Sequence, residues 1–388
     1  MAAAQNTTSK HEPGVTDTSI KIGNIMPYSG PASAYGVIGT AEAAYFRKIN
    51  DEGGINGRKI DFISYDDSYS PPKTVEQARK LVEDDGVLLI FNSLGTPTNT
   101  AIEKYLNGEK VPQLFVATGA TKWNDPKEFP STMGWQPSYQ TEAHIYAKYI
   151  LENKPDAKIA VLYQNDDYGK DYLKGLEDGL GSRANLIVAK QAYDVSEPTI
   201  DSEMVNLQAS GANVFVDITT PKFSAQSIAK ADELGWHPLF ILNNVSASVG
   251  SVIKPVGFKK AQGIISAAYL KDPTDPQWKD DAEMKAWLAF MDKYLPNADK
   301  SDASNVYAYA VARTMVHVLK QCGNDLTRAN VMKQAANLRD YDPGMLLPGI
   351  KINTSPMEFA PIQQLQLMRF KGQTWERFGK VLSGRIGS

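Results

Sequence analysis

Short apolar runs alternate along the chain with stretches whose apolar positions recur at helical spacing. Ser19–Pro27 (SIKIGNIMP) reads as a strand, followed by GPASAYG and a helix from about Thr40 to Asp51. GGINGRK is a glycine-punctuated stop and turn. IDFISYDD is a second strand with Ile60, Phe62 and Ser64 on one face. PPKTVEQARKLVEDDG is a helix with proline at its start and glycine at its end. VLLIF (Val87–Phe91) is a third strand, continuously apolar as strands buried on both faces are. Thr98–Leu106 reads as a helix and VPQLFV as a fourth strand. This alternation predicts a parallel α/β layer.

The grammar then restarts. KIAVLYQND (Lys158–Asp166) is a strand and Tyr168–Gly179 a helix; ANLIVAKQAY is a strand and Ile200–Ser210 a helix. NVFVDITT, a helix over Ser224–Leu234, the strand PLFILNN and the strand QGIISAAYL follow. The chain thus holds two successive α/β units of roughly 120 residues each, without an obvious sequence repeat. After Leu270 the pattern is helical: DAEMKAWLAFMDKYL, NVYAYAVARTMVHVLKQC and RANVMKQAANL. Pro343–Pro361 is irregular, and QQLQLMRFKGQTWERFGKVL reads as a hairpin or paired strands.

Composition adds exclusions. The chain has 388 residues, enough for two or three domains, with 41 basic and 44 acidic side chains and a net charge of −3. That balance gives no reason to expect nucleic acid or an anionic membrane as partner. A single cysteine, Cys322, rules out an intramolecular disulfide and a multi-cysteine metal site. No apolar run approaches the ~20 residues that cross a bilayer. The start, MAAAQNTTSKHEPGVTD, is polar and has no apolar core, so it is not a signal peptide as it stands. Residues 1–16 are expected to form a disordered leader.

No phosphate loop, HExxH, GxSxG elbow or GxGxxG motif occurs. His11, His144, His237 and His317 are scattered, and the pairs Asp66–Asp67 and Asp166–Asp167 lie just after strands, where turn and cap roles are common. No catalytic constellation, metal site or cofactor is expected. What remains is a set of loops at strand C-termini: GPASAYG, SLGTPTN, ATGATKW and NDDYGKD. In open α/β sheets ligands bind outside those ends. Ser93, Thr96, Thr118 and Thr121 offer hydroxyls, and Gly95 and Gly119 let backbone N–H groups approach a ligand. Helix N-termini beyond them favour an anion, which suits a carboxylate. The plainer alternative is that these Ser and Thr side chains only cap helices.

PYSGPASAYG, NDEGGINGRKIDFISYDDSYSPPK, FNSLGTPT, ATGAT and YQNDDYGKD stand in order and at the spacing of type I periplasmic solute-binding proteins. The chain most resembles the leucine/isoleucine/valine-binding group that serves ABC importers, strongly from about Thr16 to Leu270 and more weakly to the end. The resemblance implies an α/β fold of two doubly wound lobes joined by three crossover segments, with the ligand trapped between them by hinge closure. Lobe 1 would comprise residues 17–138 and 268–360, and lobe 2 residues 139–267 and 361–388.

The resemblance also implies a binding set. Tyr35 matches an aromatic that packs on the ligand. Ser93, with Leu94 and Thr96 beside it, matches the serine that bonds a carboxylate. Thr118, Gly119, Ala120 and Thr121 match a loop giving backbone and hydroxyl contacts to the same group. Tyr168 matches the aromatic that closes the cleft from lobe 2. Thr219 or Thr220 falls where amino-acid binders often carry a tyrosine, and Asn244 near the acid that pairs with an ammonium. A buried ammonium needs an anionic partner. Asn243 or Asn244 is neutral, and Asp217 lies within a strand. The expected ligand is therefore a small carboxylate without an ammonium, such as a benzoate or hydroxycinnamate derivative, its body held by Tyr35, Tyr168, Trp123 and Tyr307. A branched-chain or other hydrophobic amino acid is the alternative, and a free-standing sensor is the rival to a transport role. A membrane permease is the implied partner, a monomer the implied state, and the periplasm or a lipid-anchored position at the cell surface the implied location.

Overall fold

β1 (Ser19–Met26) lies inside a sheet, and from Ile22 onward it is buried on both faces, Asn24 included. A computed structural model describes residues 12–384. β1 is flanked by β2 (Lys59–Asp66) and β3 (Leu89–Phe91), and β4 (Gln113–Leu114) and β5 (Thr132–Met133) complete a parallel sheet in the order β2-β1-β3-β4-β5. Ile22 stands opposite both Phe62 and Leu89.

The second sheet holds β6 (Ile159–Gln164), β7 (Ile187–Tyr193), β8 (Val214–Ile218), β9 (Leu239–Leu242) and β10 (Ile265–Ala268), all parallel. β11 (Gln366–Lys371) and β12 (Thr374–Arg377) add an antiparallel hairpin at one edge, giving the order β12-β11-β10-β9-β8-β6-β7. In each sheet the strand order reverses once, between β1 and β3 and between β6 and β8. Such reversals open a crevice at the strand C-termini.

The helices are α1 (Val37–Asp51), α2 (Pro71–Arg79), α3 (Thr96–Gly108), α4 (Tyr139–Asn153), α5 (Asp167–Leu180), α6 (Asp201–Ala209), α7 (Pro221–Glu233), the single turn α8 (Lys254–Val256), α9 (Ala282–Tyr294), α10 (Ala303–Cys322) and α11 (Arg328–Ala335). The late helices turn back onto the first sheet. Tyr45 of α1 meets Phe290 of α9 and Tyr309 of α10 edge-on, at ring separations of 5.8 and 5.4 Å.

Three sequence expectations need correction. The leader was expected to run to residue 16, but Val15 is buried and bridges Ile20, and the Gly14 carbonyl accepts from Lys21 N–H at 2.7 Å. Residues 1–11 lie outside the described residues. The sequence reading placed no helix at Tyr139–Asn153, yet α4 is there, with Ser138 accepting from the Thr141 N–H as its N-cap. Its buried residues are Tyr139, Glu142, Ala143, Ile145, Tyr146, Ala147 and Ile150, a face in which Tyr and Ala outnumber the branched aliphatic residues and which a glutamate interrupts. The strand expected from Ala184 begins only at Ile187, after a 3-10 turn.

Candidate functional site

The two crevices face each other and enclose a cavity of about 1000 Å³, counting its open mouth. Six tyrosines contribute to the wall: Tyr35, Tyr69, Tyr139, Tyr168, Tyr269 and Tyr307. Ile38, Leu94, Val245 and Val306 add aliphatic surface. A few polar groups in a largely apolar cleft are the usual composition of a small-molecule site.

The loop after β3 carries Leu94, Gly95 and Thr96 into the wall. Gly95 has φ +106°, and a Cβ there would sit 2.7 Å from a Tyr69 ring carbon and 2.5 Å from Thr98 Oγ1. Glycine is therefore required both by the backbone and by the ring packed on it. Tyr69 and Ser68 are themselves in left-handed backbone, at φ 59° and 51°. The turn is pinned by its two aspartates: Ser68 N–H donates to Asp66 Oδ1 at 2.9 Å, and Tyr69 N–H to Asp67 Oδ1 at 2.8 Å. The Asp-Asp pair is thus a turn device that aims a tyrosine into the cleft.

Of the residues singled out in the sequence, Tyr35, Leu94, Gly95, Thr96, Tyr168, Thr220, Asn244 and Tyr307 line the cavity. The others stand behind the wall. Ser93 is fully buried, with a hydroxyl that has no partner among the described residues. Thr118 Oγ1 bonds Thr96 Oγ1 at 2.6 Å and accepts from Trp123 Nε1 at 3.1 Å and from Ala120 N–H at 3.2 Å. Trp123 is accordingly a core residue and not part of the wall. The Gly119 carbonyl accepts from Tyr139 N–H at 2.7 Å. Thr121 reaches across to the other layer: its N–H and its hydroxyl donate to Asp171 Oδ2 at 2.9 and 3.0 Å. Thr219 donates to Asp217 Oδ1 at 2.8 Å.

Asp217, the open candidate for an ammonium partner, is fully buried and held by Thr219 and Ser227, away from the wall. Burial pushes its carboxyl up to about 7 despite these donors. Asn244 does line the cavity, and its donors are engaged: its N–H donates to Glu142 Oε2 at 2.9 Å and Nδ2 to the Ala267 carbonyl at 2.6 Å. Glu142 is buried behind it and also accepts from the Tyr146 and Tyr172 hydroxyls at 2.6 and 2.7 Å. Burial pushes Glu142 up to about 7, against the pull of those three donors.

The sequence reading missed Tyr69, Tyr139 and Tyr269, and also Lys271 and Asp272 at the crossover after β10. Lys271 is buried and salt-bridged to Asp281 and Glu283 at 2.9 Å each. Burial opposes its charge, but the two carboxylates prevail and its pKa is raised. Asp272 is pushed up to about 6 by burial, against donation from Thr274. The only advance signal for Tyr69 was its place in YDDSYSP, between two aspartates and a proline. Among the described residues no group of three or more His, Cys, Asp or Glu converges as a metal site, and no helix is long and apolar enough to cross a membrane.

Comparison with known proteins bears on this geometry. The periplasmic binding protein family matches residues 19–374. A "Leu/Ile/Val-binding protein homolog 7" of Brucella abortus is 26% identical over 386 residues, covering 94% of this chain and 90% of that one. A "homolog 1" from the same organism is 25% identical over 320 residues, covering 79% of each. Two solved structures share the fold. A Thermus thermophilus branched-chain amino acid ABC transporter protein with bound valine has a TM-score of 0.85 at 16% identity, over 95% of this chain and 97% of that one. A Thermomonospora curvata fatty acid ABC transporter substrate-binding protein has a TM-score of 0.82 at 19% identity, over 97% and 95%. Two parallel-dominated sheets, a cleft at both strand-order reversals and a match across nearly the whole chain lead to one conclusion: this is a type I periplasmic binding protein of the leucine/isoleucine/valine-binding family.

Proposed function

We propose that this chain is the solute-capturing component of an ABC importer, taking a small carboxylate with an aromatic or apolar body. Capture, not turnover, is its activity: the ligand touches both lobes and stabilises the closed state. The lobes are residues 17–138 with 268–360, and 139–267 with the segment from 361. The packing of α9 and α10 on α1, and the pairing of β11 with β10, support that division. The closed form would dock on a membrane permease, with the protein free in the periplasm or anchored at the cell surface.

One observation carries the ligand class. The wall position nearest the expected ammonium site is Asn244, a neutral amide whose Nδ2 donates to the Ala267 carbonyl. Among the described residues Asp272 is the single carboxylate side chain in the wall, and it lies beside Lys271 at the crossover. Six tyrosine rings and an anion-favouring helix N-terminus at Thr96 suit an aromatic acid better than a zwitterion. The branched-chain reading keeps support from the names of the Brucella relatives and from the valine in the Thermus protein.

A thermal-shift screen with 4-coumarate, 4-hydroxybenzoate and leucine separates the two. Ligand at 100 times its Kd adds about 2.7 kcal/mol to the folded state. Stabilisation by the aromatic acids and not by leucine is the expected result. Stabilisation by leucine alone would replace this reading with amino-acid binding. A neighbouring permease gene would favour transport, and a neighbouring regulator gene a sensor.

A further inference from the structure

The protons of four of the six wall tyrosines, Tyr35, Tyr69, Tyr168 and Tyr307, can be followed one by one. A phenol has one O–H to donate and lone pairs with which to accept. Tyr35 donates to the Val245 carbonyl at 2.7 Å. Tyr168 donates to Asn243 Oδ1 at 2.6 Å; Asn243 Nδ2 is turned away, toward the Asp217 and Thr219 carbonyls. Both of these protons are taken by protein oxygens.

Tyr69 and Tyr307 differ. Gln164 Nε2 donates to the Tyr69 hydroxyl at 3.1 Å. The orientation of that amide is fixed by its neighbours. Nε2 also faces the Asp166 carboxylate, while Oε1 accepts from the Tyr193 hydroxyl at 3.1 Å and the Thr220 hydroxyl at 3.0 Å. Tyr69 is therefore the acceptor, and its proton has no acceptor among the described residues. Burial first, and the Asp166 charge second, raise its pKa, so the phenol keeps that proton. Tyr307 repeats the arrangement. Asn92 Nδ2 donates to its hydroxyl at 2.9 Å and to the Phe115 carbonyl at 2.6 Å, which fixes the Asn92 amide. The Tyr307 proton is likewise free among the described residues.

The two tyrosines flank one short loop, with the Tyr69 hydroxyl meeting Gln164 on its far side. Tyr307 is tied to Asn92, and the Tyr69 ring lies on Gly95. In that loop Ser93 holds a buried hydroxyl with no partner among the described residues, and α3 begins at Thr96. The geometry points to Tyr69 and Tyr307 as paired phenolic donors to the acceptor oxygens of a ligand carboxylate seated at the β3–α3 loop. This rests on the carboxylate reading above, and it adds two specific residues and the direction of each hydrogen bond. Tyr69 is also bonded to Gln164 across the cleft, so the same hydroxyl links ligand recognition to closure.

The test is calorimetric titration of wild type, Tyr69→Phe and Tyr307→Phe with 4-coumarate and with its methyl ester. Each variant keeps the ring and removes the proton. The expected result is a roughly 10- to 100-fold weaker Kd for the acid and a smaller loss for the neutral ester, because a bond to a charged acceptor is the stronger one. Acid and ester weakened by the same factor would reduce the two tyrosines to latches or packing surfaces and overturn the inference. If wild type binds leucine and neither aromatic probe, the ligand class falls, and the donors are tested with leucine against leucinamide by the same criterion. Neutron diffraction on the perdeuterated protein reads the donors without any ligand. Phenolic deuterons directed into the cavity uphold the assignment, and deuterons directed at protein oxygens overturn it.

Discussion

The Tyr35 hydroxyl donates to the Val245 carbonyl at 2.7 Å, tying the loop after β1 to the loop after β9. Tyr69 with Gln164 and Thr121 with Asp171 are two more bonds between the layers. None of the three passes through a ligand. On the proposed capture by closure, these contacts support the closed arrangement on their own, and apparent affinity is expected to depend on them as well as on the cavity wall.

Tyr35→Phe removes one such bond and keeps the ring. A neutral hydrogen bond contributes about 0.5–1.5 kcal/mol net, so affinity is expected to fall roughly 2- to 10-fold. The same factor is expected for chemically different ligands, because the proton goes to the protein. Calorimetry with two unrelated ligands checks this, and a loss confined to one of them would place Tyr35 in ligand recognition instead.

Asp171→Ala removes the acceptor of three donors: Thr121 N–H, Thr121 Oγ1 and Gln140 Nε2. Hydrogen bonds to a charged group contribute about 1.5–3 kcal/mol. Small-angle scattering of the ligand-free variant is expected to show a larger radius of gyration than wild type, with binding weakened. An unchanged radius and Kd would mean that Thr121 and Asp171 do not govern closure.

Gly95→Ala places a methyl 2.7 Å from the Tyr69 ring and forces φ +106° on a residue with a Cβ. Backbone strain of this kind costs on the order of 1–3 kcal/mol. Thermal unfolding should show that loss. Binding should suffer beyond it, since the ring that must yield is part of the cavity wall. A variant as stable as wild type would show that the loop relaxes freely.

Asp217 gives a pH signature. Its folded carboxyl is at about 7, against an ordinary value of 3.8. Between those values the folded state binds more protons than the unfolded one, so stability falls as pH rises from about 4 to about 7 and levels off above. The single group accounts for at most about 4 kcal/mol. Glu142, also pushed up to about 7, acts in the same direction. Asp217→Asn keeps an acceptor for Thr219 and should flatten the slope between pH 5 and 7.5 in thermal unfolding. An undiminished slope would assign it to other groups.

Strands such as Val214–Ile218 and helices such as α10 were legible because burial on both faces, or on one stripe, leaves a clear period in the sequence. α4 was not, because its buried stripe is largely Tyr and Ala, which also occur on surfaces. The site was legible at loops that follow strands directly, as with Tyr35, Thr96 and Tyr168. It was illegible where a side chain's direction depends on local backbone. Tyr69 enters the cavity because two consecutive residues take positive φ, and Thr121 leaves it because Asp171 lies opposite. Lys271 and Asp272 were hidden for another reason: they belong to a crossover, and nothing local to KDPT shows that the chain there passes the cavity.

The seat of α10 against α1 has a consequence for how the chain is made. Tyr45 finds Tyr309 only after more than 260 further residues have been added. The strands β6 to β10 are complete before then, so the second sheet can collapse while the first still lacks part of its cover. Contacts so distant in sequence slow folding and leave apolar surface waiting. Phe46 can settle early on Phe62 and Phe91, so within this helix it is the Tyr45 side that waits for a cover made last.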